Sequence, residues 1–179
     1  MSNQDLTRRR FAKLTAGTLI AGAGTSLLPI TASRAETLNE DGLHHQPWFL
    51  ESFLELEDDL NTAGEAGKHF AVMWELKGCP YCAETHNVNF AQKRITDFIK
   101  ANFDVLQLNF IGSRRVTDFD GEELFEKDLA RKYGIRFTPT IQFFPKSAEG
   151  LGALKPAKRE VARMPGYMKP DHFLQMFQY

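Results

Sequence analysis

The chain has little sulfur: its 179 residues include two cysteines, Cys79 and Cys82, so the four-thiolate cage of structural zinc is out of reach. A mixed zinc site would have to draw on His44, His45, His69, His86 and His172, which are scattered along the chain. Long hydrophobic runs are also missing. The most apolar stretch, near the N-terminus, is broken by glycines and Pro29 and falls short of the ~20 apolar residues a spanning helix needs, so no stable membrane insertion is expected. Charge of either sign is not in excess, because 22 Lys/Arg stand against 23 Asp/Glu. A balance of that kind leaves no electrostatic footprint for nucleic acid. There is no internal repeat and no low-complexity segment.

What is present reads as one soluble globular domain long enough to bury its own core, with 15 phenylalanines to fill it. The near-zero net charge hides an asymmetry. Residues 1–35 carry five Lys/Arg against one Asp, whereas residues 36–179 carry 17 against 22. The basic stretch Thr7-Arg8-Arg9-Arg10-Phe11-Ala12-Lys13 precedes a Gly/Ala/Thr-diluted apolar run and then Ser33-Arg34-Ala35, whose small residues suit a signal peptidase. Residues 1–35 are therefore expected to be a secretory signal. The paired arginines after a hydroxyl residue, followed by Phe and Lys, are similar to the twin-arginine export pattern, the alternative being an arginine-rich general secretory signal. The expected location of the mature protein is the periplasm, an oxidising compartment.

Residues 36–47 are polar and aperiodic and read as a linker, leaving 48–179 as the folded domain. Leu50, Phe53, Leu54 and Leu60 fall near helical spacing from Trp48 onward. His69 to Leu76 is a continuous apolar run of strand length, Ala83 to Ala101 reads as one long helix, and Phe103 to Phe110 alternates like a strand. Turn residues at Gly112-Ser113 and Asp120-Gly121 mark a short excursion near 111–121 before a helix over 122–133. Strands are expected at "TPTIQFF" and "REVARM", and a closing helix near Pro170 or Asp171.

In the resulting order, α β α β α β β α, Cys79-Pro80-Tyr81-Cys82 falls where a strand hands over to a helix. A helix N-terminus stabilises a thiolate through its free amides and its dipole, and the thiolate is the form that attacks a disulfide. Pro80 suits the first helical turn, where its missing N–H costs nothing. Cys79 at the helix mouth is then the exposed nucleophile, and Cys82, one turn inside, resolves the mixed disulfide. No metal or cofactor is required. The competing metal reading is a copper-binding trio of Cys79, Cys82 and His86, against which His86 reads as a partly exposed polar residue on an amphipathic helix.

Tyr133-Gly134-Ile135 leading to Thr138-Pro139-Thr140, and Pro165-Gly166-Tyr167 before the last helix, join Gly78-Cys79-Pro80-Tyr81-Cys82 in a pattern that resembles the thioredoxin family over about Trp48 to Tyr179. The resemblance implies a thioredoxin fold, an α/β architecture with a central mixed β-sheet flanked by helices, here with an N-terminal helix and an insertion near 111–121. It implies a protein thiol-disulfide oxidoreductase with Cys79 and Cys82 as catalytic pair. Substrate binding would fall on Pro80, Tyr81, Thr138 and Pro139, the last in the cis form beside the cysteines.

Two departures matter. The buried carboxylate of typical thioredoxins falls on Met73, so Glu75 either stands in as proton relay or is a solvated strand-end residue, and the tryptophan before the first cysteine is Gly78. Together these features look most like the periplasmic thioredoxins of bacterial sulfur oxidation. Implied partners are a disulfide-bearing protein, a sulfur-oxidation protein among them, and a membrane thiol-electron donor. The same chemistry run in reverse would make the protein a disulfide oxidase or isomerase.

Overall fold

The computed structural model describes residues 37–178. The expected export signal and its twin arginines lie outside the described residues. The described chain opens on two short strands, β1 (Thr37–Leu38) and β2 (His44–His45), paired antiparallel with Leu38 opposite His44. The segment expected to be a linker is thus a hairpin. Its turn is closed by Asn39, whose Oδ1 accepts from Leu43 N–H at 3.0 Å, and Leu43 is buried.

The remaining elements are α1 (Leu56–Glu65), β3 (His69–Glu75), α2 (Pro80–Glu84), α3 (Lys93–Asn102), β4 (Phe103–Asn109), β5 (Arg115–Thr117), β6 (Glu123–Phe125), α4 (Glu126–Lys132), β7 (Thr140–Phe143), β8 (Ala162–Pro165) and α5 (Pro170–Gln178). Four of the strands form one mixed sheet in the order β4-β3-β7-β8. β3 runs parallel to β4 and antiparallel to β7, and β7 is antiparallel to β8. As its unbroken apolar run predicts, β3 is central. Its side chains alternate: Phe70, Val72 and Trp74 enter a core with Leu60 of α1 and Leu129 of α4, whereas Ala71 and Met73 enter a second core with Ile95 and Ile99 of α3 and Phe173 and Phe177 of α5. Each fully buried large apolar side chain contributes roughly 1.5–3 kcal/mol, so these two cores hold the helices to the sheet. Among the described residues no helix is long and apolar enough to cross a membrane.

Three element boundaries differ from the sequence reading. The first helix begins at Leu56, not near Trp48. Ser52 Oγ accepts from Leu54 N–H at 2.7 Å and donates to Asp59 at 2.5 Å, and Leu54 takes φ +67°, so the chain turns before it coils. The long helix expected over 83–101 is interrupted: α2 runs into a π-turn at Thr85–Asn89, and Gln92 is extended before α3. Thr85, Val88 and two asparagines in "THNVN" are poor helix formers, and Asn89 Nδ2 donates to Met168 O at 2.9 Å, a contact away from the helix. The helix expected over 122–133 starts only at Glu126, because Glu123–Phe125 pairs with β5 as a hairpin. The excursion is anchored by buried Glu126, whose carboxylate accepts from Asn109 N–H at 2.8 Å and Arg114 Nη2 at 2.6 Å. Gly112 leaves room for it; a Cβ there would lie 1.9 Å from Glu126 Oε2.

Candidate active site

The carboxyl end of β3 is followed by a turn in which Cys79 N–H donates to Leu76 O at 3.1 Å and Gly78 takes φ +75°, a left-handed conformation that any side chain would strain. The turn delivers Cys79 to the N-cap of α2. There its Sγ accepts from Cys82 N–H at 3.1 Å, the interaction that would stabilise a thiolate, while Pro80 opens the helix. Cys79 and Cys82 are joined as a disulfide, with Cα atoms 5.3 Å apart. Cys79 keeps 7% of its surface exposed and Cys82 none. The outer cysteine is more sheltered than expected, yet it remains the accessible sulfur.

The loop before β7 closes over this pair. Thr138 Oγ1 donates to Cys79 Sγ at 3.4 Å, the Thr138 carbonyl oxygen lies 3.3 Å from the same sulfur, and the Thr138–Pro139 peptide is cis. Pro139 O accepts from Gly166 N–H at 2.7 Å, which ties the start of β7 to the turn after β8. Aromatic side chains are carried by the same segments. Tyr81 is exposed and stacks on Tyr167 with centroids 6.4 Å apart, and Phe137 is 64% exposed. Burial, then the charge and hydrogen bond of Glu84, raise the Tyr167 phenol above its ordinary pKa. Tyr167 belongs to the Pro165-Gly166-Tyr167 motif but was given no site role from sequence, and Phe137 was marked only by its position beside Thr138.

Glu75 corrects one reading: it is a fully buried carboxylate and not a solvated strand end. Being two residues after Met73, it projects from the same face of β3, so the carboxyl expected at Met73 is moved one pleat toward the cysteines. His86 corrects another. It too is buried, with Nε2 2.9 Å from Glu75 Oε1 and Nδ1 3.0 Å from Gln46 Nε2. Both ring nitrogens are therefore engaged away from the cysteines, and among the described residues no group of three or more His, Cys, Asp or Glu is arranged to hold a metal. Gln107 completes the network, donating to Glu75 Oε2 and, at 2.5 Å, to His44 O, while its own Oε1 lies 3.0 Å from His45 Nδ1. Burial, then the His86 ring, lower the pKa of His44. Gln46 and Gln107 had no signal in the sequence, since each acts across a long stretch of intervening chain.

The sequence model of the thioredoxin-like domain family matches residues 56–179. Among solved structures, a thioredoxin-fold protein from Helicobacter pylori is 23% identical with a TM-score of 0.50, covering 63% of this chain and 68% of that one. A thioredoxin from Thermus thermophilus is 22% identical, also with a TM-score of 0.50, covering 69% and 82%. No curated protein sequence matches the chain.

Proposed function

The chain belongs to the thioredoxin-like domain family, and from that premise we propose that it is a thiol-disulfide oxidoreductase that reduces protein disulfides. The observation that carries this reading is the Cys79–Cys82 disulfide at the N-terminus of α2, with Cys79 Sγ against Thr138 and beside Pro139. In the reduced protein the Cys79 thiolate attacks one sulfur of a substrate disulfide; that bond breaks, a mixed disulfide forms, and the other substrate sulfur leaves as thiolate. Cys82 then attacks Cys79 Sγ, the substrate's second sulfur departs, and two electrons have passed from the dithiol to the substrate. Glu75, buried at the end of β3 and bonded to His86 on the segment that continues from Cys82, accepts the Cys82 thiol proton in this second step. Pro80, Tyr81, Thr138 and Pro139 form the surface against which an extended substrate chain lies.

The biological setting we propose is the periplasm, reached by twin-arginine export of residues 1–35, with a membrane thiol-electron donor restoring the dithiol. The combination of that signal with "GCPYC", His86 and "FTPT" supports a substrate in bacterial sulfur-compound oxidation. Three experiments test the reading. Dithiol-coupled insulin reduction should be lost in Cys79→Ser, and an unchanged rate in that variant would overturn the assignment. Cys82→Ser should accumulate reductant-sensitive adducts in the periplasm: a cysteine-bearing sulfur-oxidation protein supports the narrower substrate, whereas a broad set of secreted disulfide proteins points to oxidase or isomerase work. Replacing Arg8 and Arg9 together by Lys should leave precursor in the cytoplasm, because the translocase reads guanidinium pairs and not net charge.

A further inference from the structure

The hairpin at residues 37–46 reaches buried Glu75 through His86 and Gln107, by side-chain contacts that pairing of the sheet does not require. Gln46 follows β2 and places its Nε2 3.0 Å from His86 Nδ1. A carboxamide nitrogen can only donate, so His86 Nδ1 is the acceptor and the ring proton sits on Nε2. Nε2–H then donates to Glu75 Oε1 at 2.9 Å, while Gln107 donates to Oε2 and is itself held by His44 O, His45 and Asn39 of the hairpin. Both oxygens of Glu75 are thus fixed by donors whose orientation is set from the hairpin. Phe49 and Phe90 pack edge-on against the His86 ring at 5.8 and 5.2 Å and leave it little freedom to turn. His86 lies four residues beyond Cys82 on the continuation of α2. The π-turn that begins at Thr85 carries it.

We propose that Gln46 and His86 are positioning residues for the resolving step: Gln46 holds His86 in the Nε2–H tautomer, and His86, with Gln107, aims Glu75 as the base for the Cys82 thiol. This rests on the role given to Glu75 above. In the step, Cys82 S–H passes its proton to the Glu75 carboxylate, the Cys82 sulfur forms its bond to Cys79 Sγ, and the bond from Cys79 to the substrate sulfur breaks. The substrate sulfur carries the electron pair away as thiolate, and Glu75 returns its proton to water. His86 and Gln46 exchange no proton; they fix the acceptor, and the 37–46 hairpin becomes part of the machinery although it lies more than thirty residues before the cysteines.

Reduced full-length protein mixed with excess 5,5′-dithiobis(2-nitrobenzoate) separates the two steps, because attack by Cys79 and resolution by Cys82 each release one coloured thiolate. Glu75→Gln should slow the second phase by roughly 100-fold or more and spare the first. His86→Ala and Gln46→Ala should slow the second phase alone, by up to about 100-fold for a misplaced group. His86→Gln, which retains an amide donor toward Glu75, should recover much of the loss. In the Glu75→Gln background neither His86→Ala nor Gln46→Ala should add further slowing.

An unchanged second phase in Glu75→Gln removes the base and the inference with it. If Glu75→Gln is slow but Gln46→Ala and His86→Ala resolve at the wild-type rate, the base stands and the positioning is wrong. Equal slowing of both phases, or slowing that persists in the Glu75→Gln background, shows a general structural role and also overturns the proposal. Gln46 is only half-buried on the hairpin, so its variant keeps the test available should His86→Ala fail to fold.

Discussion

Glu75 and Asp118 are both buried carboxylates, but they lie toward opposite faces of the sheet and are held in opposite ways. Asp118 is surrounded by cations: Arg159 Nη1 stands 2.7 Å and Lys132 Nζ 2.6 Å from Oδ2, while Tyr133 donates to Oδ1 at 2.7 Å. The same two cations continue to Asp120, where burial opposes ionisation but the hydrogen bonds from Lys132 and Arg159 outweigh it and hold the carboxyl at about 2. Glu75 is gripped instead by an imidazole and a carboxamide. Through these two ion pairs Asp118 staples the insertion to α4 and to the loop before β8. Among the described residues no Lys or Arg pairs with the Glu75 carboxylate, so it is held by hydrogen-bond geometry and not by paired cations.

The widest separation between the two regions should come from Arg159→Leu. Removing one partner of a buried pair costs about 3–5 kcal/mol, so the urea midpoint should fall sharply while both thiol-release phases keep their rates. Altered thiol kinetics in that variant would mean that the two networks are coupled. Gly112→Ala should come next, at about 1–3 kcal/mol, because its Cβ would meet Glu126 Oε2 at 1.9 Å and Asn109 Cβ at 2.8 Å. Unfolding curves check it, and a neutral result would show that Glu126 can retreat. Glu75→Gln should cost only about 1 kcal/mol, a small stability effect beside its large kinetic one.

The smallest effects are those of pH. Asp120 has its pKa lowered from 3.8 to about 2 in the folded protein, so its contribution is present above pH ~4 and lost as pH falls toward 2. Its partial exposure limits the contribution to about 1 kcal/mol. His44, lowered by burial and by His86, disfavours the protonated form in the folded state, so stability should begin to decline as pH drops below about 6.5. Urea midpoints measured across pH should show both declines in the wild type, and His44→Gln should lose the upper one alone.

Local and periodic signals reached a long way. The apolar run at His69 to Leu76 identified the central strand, the Cys79-Pro80-Tyr81-Cys82 spacing at a strand-helix junction marked the two cysteines that the structure joins as a disulfide, and "TPT" marked the loop that meets them. Each is a property of neighbouring residues, set by side-chain period, by the free amides of a helix start and by the fixed φ of proline. Such signals are written in order along the chain.

What only the tertiary structure decided is what lies across long separations. Glu75 looked solvated and His86 half-exposed because burial depends on what packs opposite, and there the covers are a hairpin some thirty residues earlier and Gln107 on the adjacent strand. The polar lead-in 36–47 carries no period, so it read as a linker; its hydrogen bonds to Gln107 and His86 fold it against the domain. The long helix over 83–101 had the right apolar spacing, but the segment passes through a π-turn and an extended Gln92, and there Asn89 bonds to the chain before α5. A buried polar group must find a partner somewhere in the fold, and its identity is settled by the topology that brings distant segments together.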